Sequence, residues 1–188
     1  MPGTTHPPSA ATTLFDSPIG ALVLTATARG ITGVMLPADL TAAPRGPVPA
    51  ESSPAPSPPP GSACTDSSLT LACRHLAQAT EELDAYFAGA SQGFSVALDM
   101  TGISPFDRDV LAALAEVGHG TTISYAQLAA ACAHPTAVRA VASACARNRW
   151  PILLGCHRVV RSDGSLGGYR GGPQAKRLLL ELESAVPR

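Results

Sequence analysis

The sequence is poor in charge and aromatics, and it lacks the short patterns by which metals and nucleotides are commonly held. Charged residues make up 14% of the 188 and aromatics 4%, with Trp150 the single tryptophan. No Cys-x-x-Cys or His-x-x-x-His pair occurs, which argues against a zinc site. The glycines between Gly164 and Gly172 have no Gly-Lys-Ser/Thr after them, which argues against a phosphate-binding loop. Met1-Pro2-Gly3-Thr4-Thr5-His6-Pro7-Pro8 has neither the basic nor the apolar region of a secretion signal, and no apolar run reaches transmembrane length. No internal repeat is visible. The expectation is a cytoplasmic protein without membrane contact. Its five cysteines, odd in number and irregularly spaced, read as reduced thiols and not as a disulfide framework.

What is present suffices for a fold. The chain is 45% hydrophobic, which excludes wholesale disorder, and its length suits one ordinary domain or two small ones. The net charge of −1 hides an asymmetry. Residues 1–100 carry 3 Lys/Arg against 8 Asp/Glu, and residues 101–188 carry 10 against 6. A polyanion would meet the second half, although so modest a basic excess does not suit tight binding through phosphates alone.

The pattern divides the chain into an amino-terminal α/β domain over 12–100 and a mainly helical domain over 101–188. The class is α+β. Residues 12–36 alternate as strand, turn, strand, turn, strand, with turns at Ser17-Pro18 and Ala28-Arg29-Gly30. Residues 37–68 read as a linker, with eight prolines from Pro44 to Pro60. A helix is predicted at about 69–88, its stripe formed by Leu76, Ala79, Leu83, Tyr86 and Phe87. Phe94 to Asp99 reads as a further strand.

Helical signals dominate after Ser104. Ser104-Pro105 is an N-cap with proline at the first helical position, and Asp107 and Asp109 are placed in the first turn. Ser124-Tyr125-Ala126-Gln127 has capping-box spacing and opens a short helix to about Ala133. After His134-Pro135-Thr136 a second helix runs from Ala137 to about Arg147, which makes the pair a helix-turn-helix candidate. That second helix is almost all small residues around Arg139, so it suits close approach to a narrow groove with one long wedge. On its own the segment fits a tightly packed internal helix better. Gly172-Pro173 starts a terminal helix that buries Leu178, Leu179 and Leu182. Cys73, Cys132 and Cys145 read as core thiols on helices, and Trp150 as an exposed or half-packed loop residue.

Pro151-Ile152-Leu153-Leu154 reads as a buried strand leading to Gly155-Cys156-His157-Arg158-Val159-Val160. A thiol beside an imidazole is a candidate nucleophile with a base at hand. The same dipeptide also suits a buried structural cysteine, and the neighbours decide between the two.

Those neighbours resemble one family. Thr122-Ile123-Ser124-Tyr125, Pro135-Thr136-Ala137-Val138-Arg139-Ala140-Val141, Cys156-His157-Arg158-Val159-Val160, Ser162-Asp163-Gly164-Ser165-Leu166-Gly167-Gly168-Tyr169 and Lys176 to Glu183 are similar to the active-site domain of the 6-O-alkylguanine-DNA alkyltransferases. Residues 12–36 and 69–100 resemble that family's amino-terminal domain. The resemblance implies single-turnover repair. An alkyl group moves irreversibly from O(6) of guanine, with O(4) of thymine a second target, to a cysteine of the protein itself. The partner is duplex DNA carrying O(6)-alkylguanine, bound through the minor groove, and neither a cofactor nor an obligate protein partner is called for. The location implied is cytoplasmic, on the nucleoid when DNA is bound.

By the same resemblance Cys156 is the acceptor. His157 takes its proton through a water, Glu183 holds and charges the imidazole, Asn148 braces the turn, and Tyr125 crowds a phosphate and donates to the flipped base. Arg139 fills the vacated stack, with Ala137, Ala140 and Ser143 against DNA. Val159, Tyr169, Arg170 and Gly171 form the substrate pocket, in which the carbonyls of Cys156 and Val159 accept from the guanine amine. The chain departs from the family pattern in several places. Gly155 stands where proline is usual, implying a looser backbone before the thiol, and Arg149-Trp150 replaces a proline-containing pair. Arg170 sits where the family commonly has a small residue, and Ala142 and Ser143 where it often has glycine. Two other classes fit part of the pattern: a non-catalytic alkylated-base-binding protein, and a cysteine hydrolase using Cys156 and His157. Against the hydrolase, neighbours on an extended strand point to opposite faces.

Overall fold

A computed structural model of the chain describes residues 10–42 and 67–185. Three strands, β1 (Ala11–Ser17), β2 (Gly20–Thr27) and β3 (Gly30–Met35), form an antiparallel meander in the order β1-β2-β3. The turn glycines are required by backbone geometry. Gly30 has φ +141°, and a Cβ there would lie 2.3 Å from the carbonyl oxygen of Ala97. Alternation places Leu22, Leu24 and Ala26 of β2 in the core, beneath the helix α2 (Ser67–Phe87). That helix buries Ala72, Leu76, Ala79, Leu83 and Tyr86, the stripe read from the sequence with Ala72 added and Phe87 left half-buried.

Two readings of the first half need correction. Pro37–Ala42 is a short helix, α1, and not linker, because the Asp39 carboxylate accepts from the Leu36 amide (2.8 Å) at its entrance. Residues 43–66, with the proline run, lie outside the described residues. The segment 94–99 is not a full strand. It makes one parallel bridge, Leu98 to Ile31, with Ile31 N donating to Ala97 O (2.8 Å) and Asp99 N to Ile31 O (2.9 Å).

In the second half α3 (Pro105–Ala115) starts as expected. The Ser104 hydroxyl accepts from Asp107 N at 3.1 Å and Pro105 occupies the first turn, while Asp109 lies beyond that turn. β4 (Ile123–Ser124) leads into α4 (Tyr125–Ala131) through a complete capping box between Ser124 and Gln127. α5 (Val138–Ala146) follows, and α6 (Gly172–Ala185) closes the fold. Of the α6 leucines, Leu179 is fully buried and Leu178 and Leu182 half-buried.

The run Pro151–Leu154 is a tight turn closed by a Pro151–Leu154 bridge, with Leu154 N donating to Trp150 O (2.9 Å). It cannot be a strand, because Ile152 has φ +75°, outside the extended region. Cys156–Arg158 is one 3-10 turn and not an extended segment, so the opposite-face argument against direct Cys-His contact does not apply. The chain then enters β5 (Val159–Val160), which pairs in parallel with β4 as Ile123–Val159 and Ser124–Val160. One continuous buried cluster joins the sheet residues to those packed around Cys156, Trp150 and Leu179. Among the described residues no helix is long and apolar enough to cross a membrane.

Candidate active site

Local geometry brings the Cys-His pair to the start of β5. Asn148 organises the preceding turn: its Nδ2 donates to Leu154 O (3.1 Å) and its Oδ1 accepts from Trp150 N (2.9 Å). Trp150 is fully buried, contrary to the exposed reading, with its indole N–H on Ile31 O (2.6 Å). Val34 N donates to Arg149 O (2.7 Å), so β3 holds the entrance to this turn at two adjacent residues.

Cys156 is 7% exposed. Burial pushes its thiol up, and this outweighs the Asn148 side chain and Lys176, which lower it. The thiol is therefore protonated at neutral pH and needs a base at the moment of reaction. His157 is buried, with Nε2 2.8 Å from Glu183 Oε1. Since the carboxylate can only accept, Nε2 carries the proton and Nδ1 has the free lone pair. Nδ1 is buried and without a hydrogen-bond partner in the protein. Burial also holds the imidazole below its ordinary value, more strongly than Glu183 raises it. The resting ring is thus kept neutral and can accept a proton, and the Glu183 carboxylate favours the charged ring once it has done so.

Glu183 is the hub. Burial alone would raise its carboxyl, but hydrogen bonds from His157 and Arg158 hold it well below the carboxylate range. Arg158 donates from Nε (3.0 Å) and Nη2 (2.9 Å) to its oxygens and from Nη1 to Val117 O (2.6 Å). Tyr86 Oη (2.8 Å) and Gly120 N (3.0 Å) complete the ring of donors. Arg158 and Tyr86 were not found from the sequence. Tyr86 lies 97 residues from Glu183, and no local signal joins them.

Gly155 has φ −63°, a value open to proline. A Cβ there would lie 2.8 Å from Arg158 Cδ and Nε and 2.9 Å from Cζ. The glycine leaves room beside an arginine fixed on Glu183.

A cavity of about 620 Å³ opens over the thiol, with Tyr125, Ala142, Cys145, Cys156, Tyr169 and Arg170 in its wall. Tyr125 remains a phenol donor, its pKa raised chiefly by burial. The Tyr169 hydroxyl is buried without a partner, and its ring meets His157 edge-on with centroids 6.3 Å apart. Arg170 is pinned by Asp39 (2.7 Å) and the Asn148 carbonyl (3.2 Å). Val159 and Gly171, expected in the pocket, are not in its wall. Val159 is fully buried with its carbonyl taking a bond from Lys176 Nζ (2.5 Å), and Gly171 packs behind Tyr169, where a Cβ would meet Cε1 at 2.9 Å. Lys176, also missed, is fully buried and donates further to the carbonyls of Leu166 and Gly168, tying β5 to the loop over the cavity. Cys145, read only as packing, and Ala142, noted only for standing where the family often has glycine, lie one helical turn apart on α5.

α5 is not internal. Val141, Ala144 and Cys145 face the core, while Arg139, Ala140, Ser143, Ala146 and Arg147 are exposed and Ala137 is half-buried. Ser143 is engaged locally, its hydroxyl donating to Arg139 O (3.0 Å). Cys132 is buried as expected, whereas Cys73 is exposed. Among the described residues no group of three or more His, Cys, Asp or Glu is placed to hold a metal ion.

Two family models match this chain: 6-O-methylguanine DNA methyltransferase, ribonuclease-like domain, over residues 11–100, and the DNA binding domain of the same name over 105–185. The constitutive methylated-DNA--protein-cysteine methyltransferase of Bacillus subtilis is 43% identical over 110 residues, 58% of this chain and 66% of that protein. The regulatory protein ada of Salmonella typhimurium is 50% identical over 90 residues, 48% of this chain but 25% of that protein. Each alignment therefore spans less than two thirds of the relative's length. The fold is similar to the crystal structure of Mycobacterium tuberculosis OGT in complex with DNA, with TM-score 0.69 and 32% identity over 92% of this chain and 91% of that one. With that identity over nearly the whole of both chains, this chain belongs to the 6-O-methylguanine DNA methyltransferase family.

Proposed function

We propose that the protein repairs duplex DNA by moving the alkyl group of O(6)-alkylguanine, and that of O(4)-alkylthymine, to Cys156 in a single irreversible turnover. One observation carries this reading. The Cys156 thiol lies in the wall of a cavity that Tyr125 and α5 also line, so a base extruded beside the exposed Arg139 face has a path to the sulfur. The thiol proton passes through a bridging water to His157 Nδ1. The sulfur forms its bond to the alkyl carbon as the carbon–O(6) bond breaks, and the departing guanine takes the proton that His157 accepted from the thiol, so the transfer is balanced. Glu183 fixes the tautomer, Arg158 fixes Glu183, and Asn148 holds the turn. Arg139 fills the gap in the stack, with Ala137, Ala140 and Ser143 against the minor groove and Tyr125 against the base and its phosphate. Tyr169 and Arg170 wall the pocket, Gly171 backs Tyr169, and the Val159 carbonyl offers the base the lone pair that Lys176 leaves free.

The two-domain division at about residue 100 and a cytoplasmic, nucleoid-associated location belong to the same proposal. The thiol argues against a non-catalytic binder. A cysteine hydrolase would need an oxyanion site beside Cys156. Mass spectrometry after mixing with an O(6)-methylguanine duplex separates the readings. Repair adds one methyl to the Cys156 peptide, mere binding adds nothing, and a hydrolase turns over an ester instead.

A further inference from the structure

The parallel register of β4 and β5 sets Ser124 opposite Val160. The residues that follow these strands, Tyr125 as the first of α4 and Arg161, both line the cavity over Cys156. Gly167 closes against both: a Cβ there would lie 3.3 Å from Tyr125 Cε2 and 3.5 Å from Arg161 Cγ. Neighbouring cations are already engaged. Arg158 is on Glu183, Arg170 on Asp39, and Lys176 on backbone carbonyls. Arg161 is exposed, and none of the ion pairs among the described residues includes it. Its acidic neighbour Asp163 directs Oδ1 to Ser165 N (2.9 Å) and Oγ (2.7 Å).

We propose that Arg161 is a phosphate clamp, gripping a phosphodiester oxygen of the nucleotide whose base has entered the cavity. This rests on the repair reading above. A base that reaches Cys156 leaves its sugar and phosphates at the rim, because the backbone cannot follow it inward. The guanidinium at that rim has the fork geometry that fits a phosphate, and Tyr125 borders the same point. Arg139 and Arg161 then differ in kind. Arg139 occupies the space that the base has left, while Arg161 binds the strand that moved.

The test compares unsubstituted protein with Arg161→Ala and Arg161→Lys in single-turnover alkyl transfer. Substrates are an O(6)-methylguanine duplex over a salt series and free 6-O-benzylguanine, which has no phosphate. Arg161→Ala is expected to slow the duplex reaction on the order of tenfold. It should lower the slope of log binding constant against log salt by about 0.9, as for one lost phosphate contact. Its reaction with the free base should slow by much less. Arg161→Lys should keep the slope and lose part of the rate. A wild-type duplex rate and salt slope in Arg161→Ala would overturn the clamp, as would equal slowing on both substrates. Failure of the unsubstituted protein to transfer the methyl group overturns the repair reading itself.

Discussion

The indole N–H of Trp150 donates to the carbonyl of Ile31 at 2.6 Å, and the same oxygen accepts the amide of Asp99 at 2.9 Å. Both acceptor positions of one β3 carbonyl are thus in use, one by the segment after α2 and one by the turn that precedes Cys156. Trp150→Phe keeps most of the ring and removes the donor, leaving Ile31 O still bonded by Asp99. The expected loss is about 1 kcal/mol, a fall in Tm of roughly 2–4 °C for a chain of this size. Trp150→Ala should cost about 3–5 kcal/mol through the cavity it leaves. Urea or thermal unfolding of the two variants checks both figures.

Gly155 and Arg158 are coupled by contact. Gly155→Ala places a methyl against an arginine that cannot yield without leaving Glu183 or Val117. It should destabilise by about 1–3 kcal/mol and slow alkyl transfer. In an Arg158→Ala background the same change should cost much less, giving a coupling energy of about 1 kcal/mol or more in a double-mutant cycle. Additive effects would show that the contact is not the reason for glycine.

The pH dependence follows from the neutral imidazole. Nδ1 must be unprotonated to take the thiol proton, and burial holds His157 below its ordinary value of 6.5. The acid limb of the transfer rate should therefore lie below pH 6.5. Stability follows the same sign, because the unfolded chain protonates His157 first. The contribution is complete above 6.5 and is lost as pH falls through the folded value. Single-turnover rates and unfolding curves from pH 5 to 8 test this, and an acid limb above 6.5 contradicts it.

Glu183→Gln keeps the shape of the hub and removes its charge. Arg158, whose side chain is 9% exposed, loses its counter-ion in a buried place, at a cost of about 3–5 kcal/mol. Tm should fall accordingly, and transfer should fall on duplex and free base alike, since the change lies behind the thiol. Selective loss on duplex DNA would place Glu183 in binding instead.

Ala133 ends α4 with φ +62°, where its amide meets Ala130 O and the next amide meets Ala129 O. Ala133→Gly should stabilise by about 0.5–1 kcal/mol, since an L side chain is strained there. Thermal unfolding decides the sign.

The parts legible in the sequence were those set by neighbours along the chain. Ser104 and Ser124 announced their helices because a cap is satisfied within three residues. The strands of the meander were read from alternation, and the Cys156-His157 pair from adjacency, whereas the role of Tyr125 came from the family resemblance. The turn at Pro151–Leu154 was misread because a short apolar run does not distinguish a buried strand from a tight turn. Nothing local shows that Ile152 adopts a left-handed backbone. Arg158, Lys176 and Cys145 were given no role in the site for a different reason. Each is ordinary in sequence and matters through a partner or a cavity wall contributed by another element.

The donors around Glu183 come from α2, the loop after α3, and the turn at Cys156, while the carboxylate itself comes from α6. Folding therefore acts as a gate on reactivity. Until these elements have docked, His157 has nothing to fix its tautomer, and no cavity is formed in which a base could meet the sulfur. An incompletely folded copy carries the same thiol without the machinery to use it. Under the repair reading proposed above, in which each copy reacts once, that arrangement confines the irreversible event to molecules able to complete a repair.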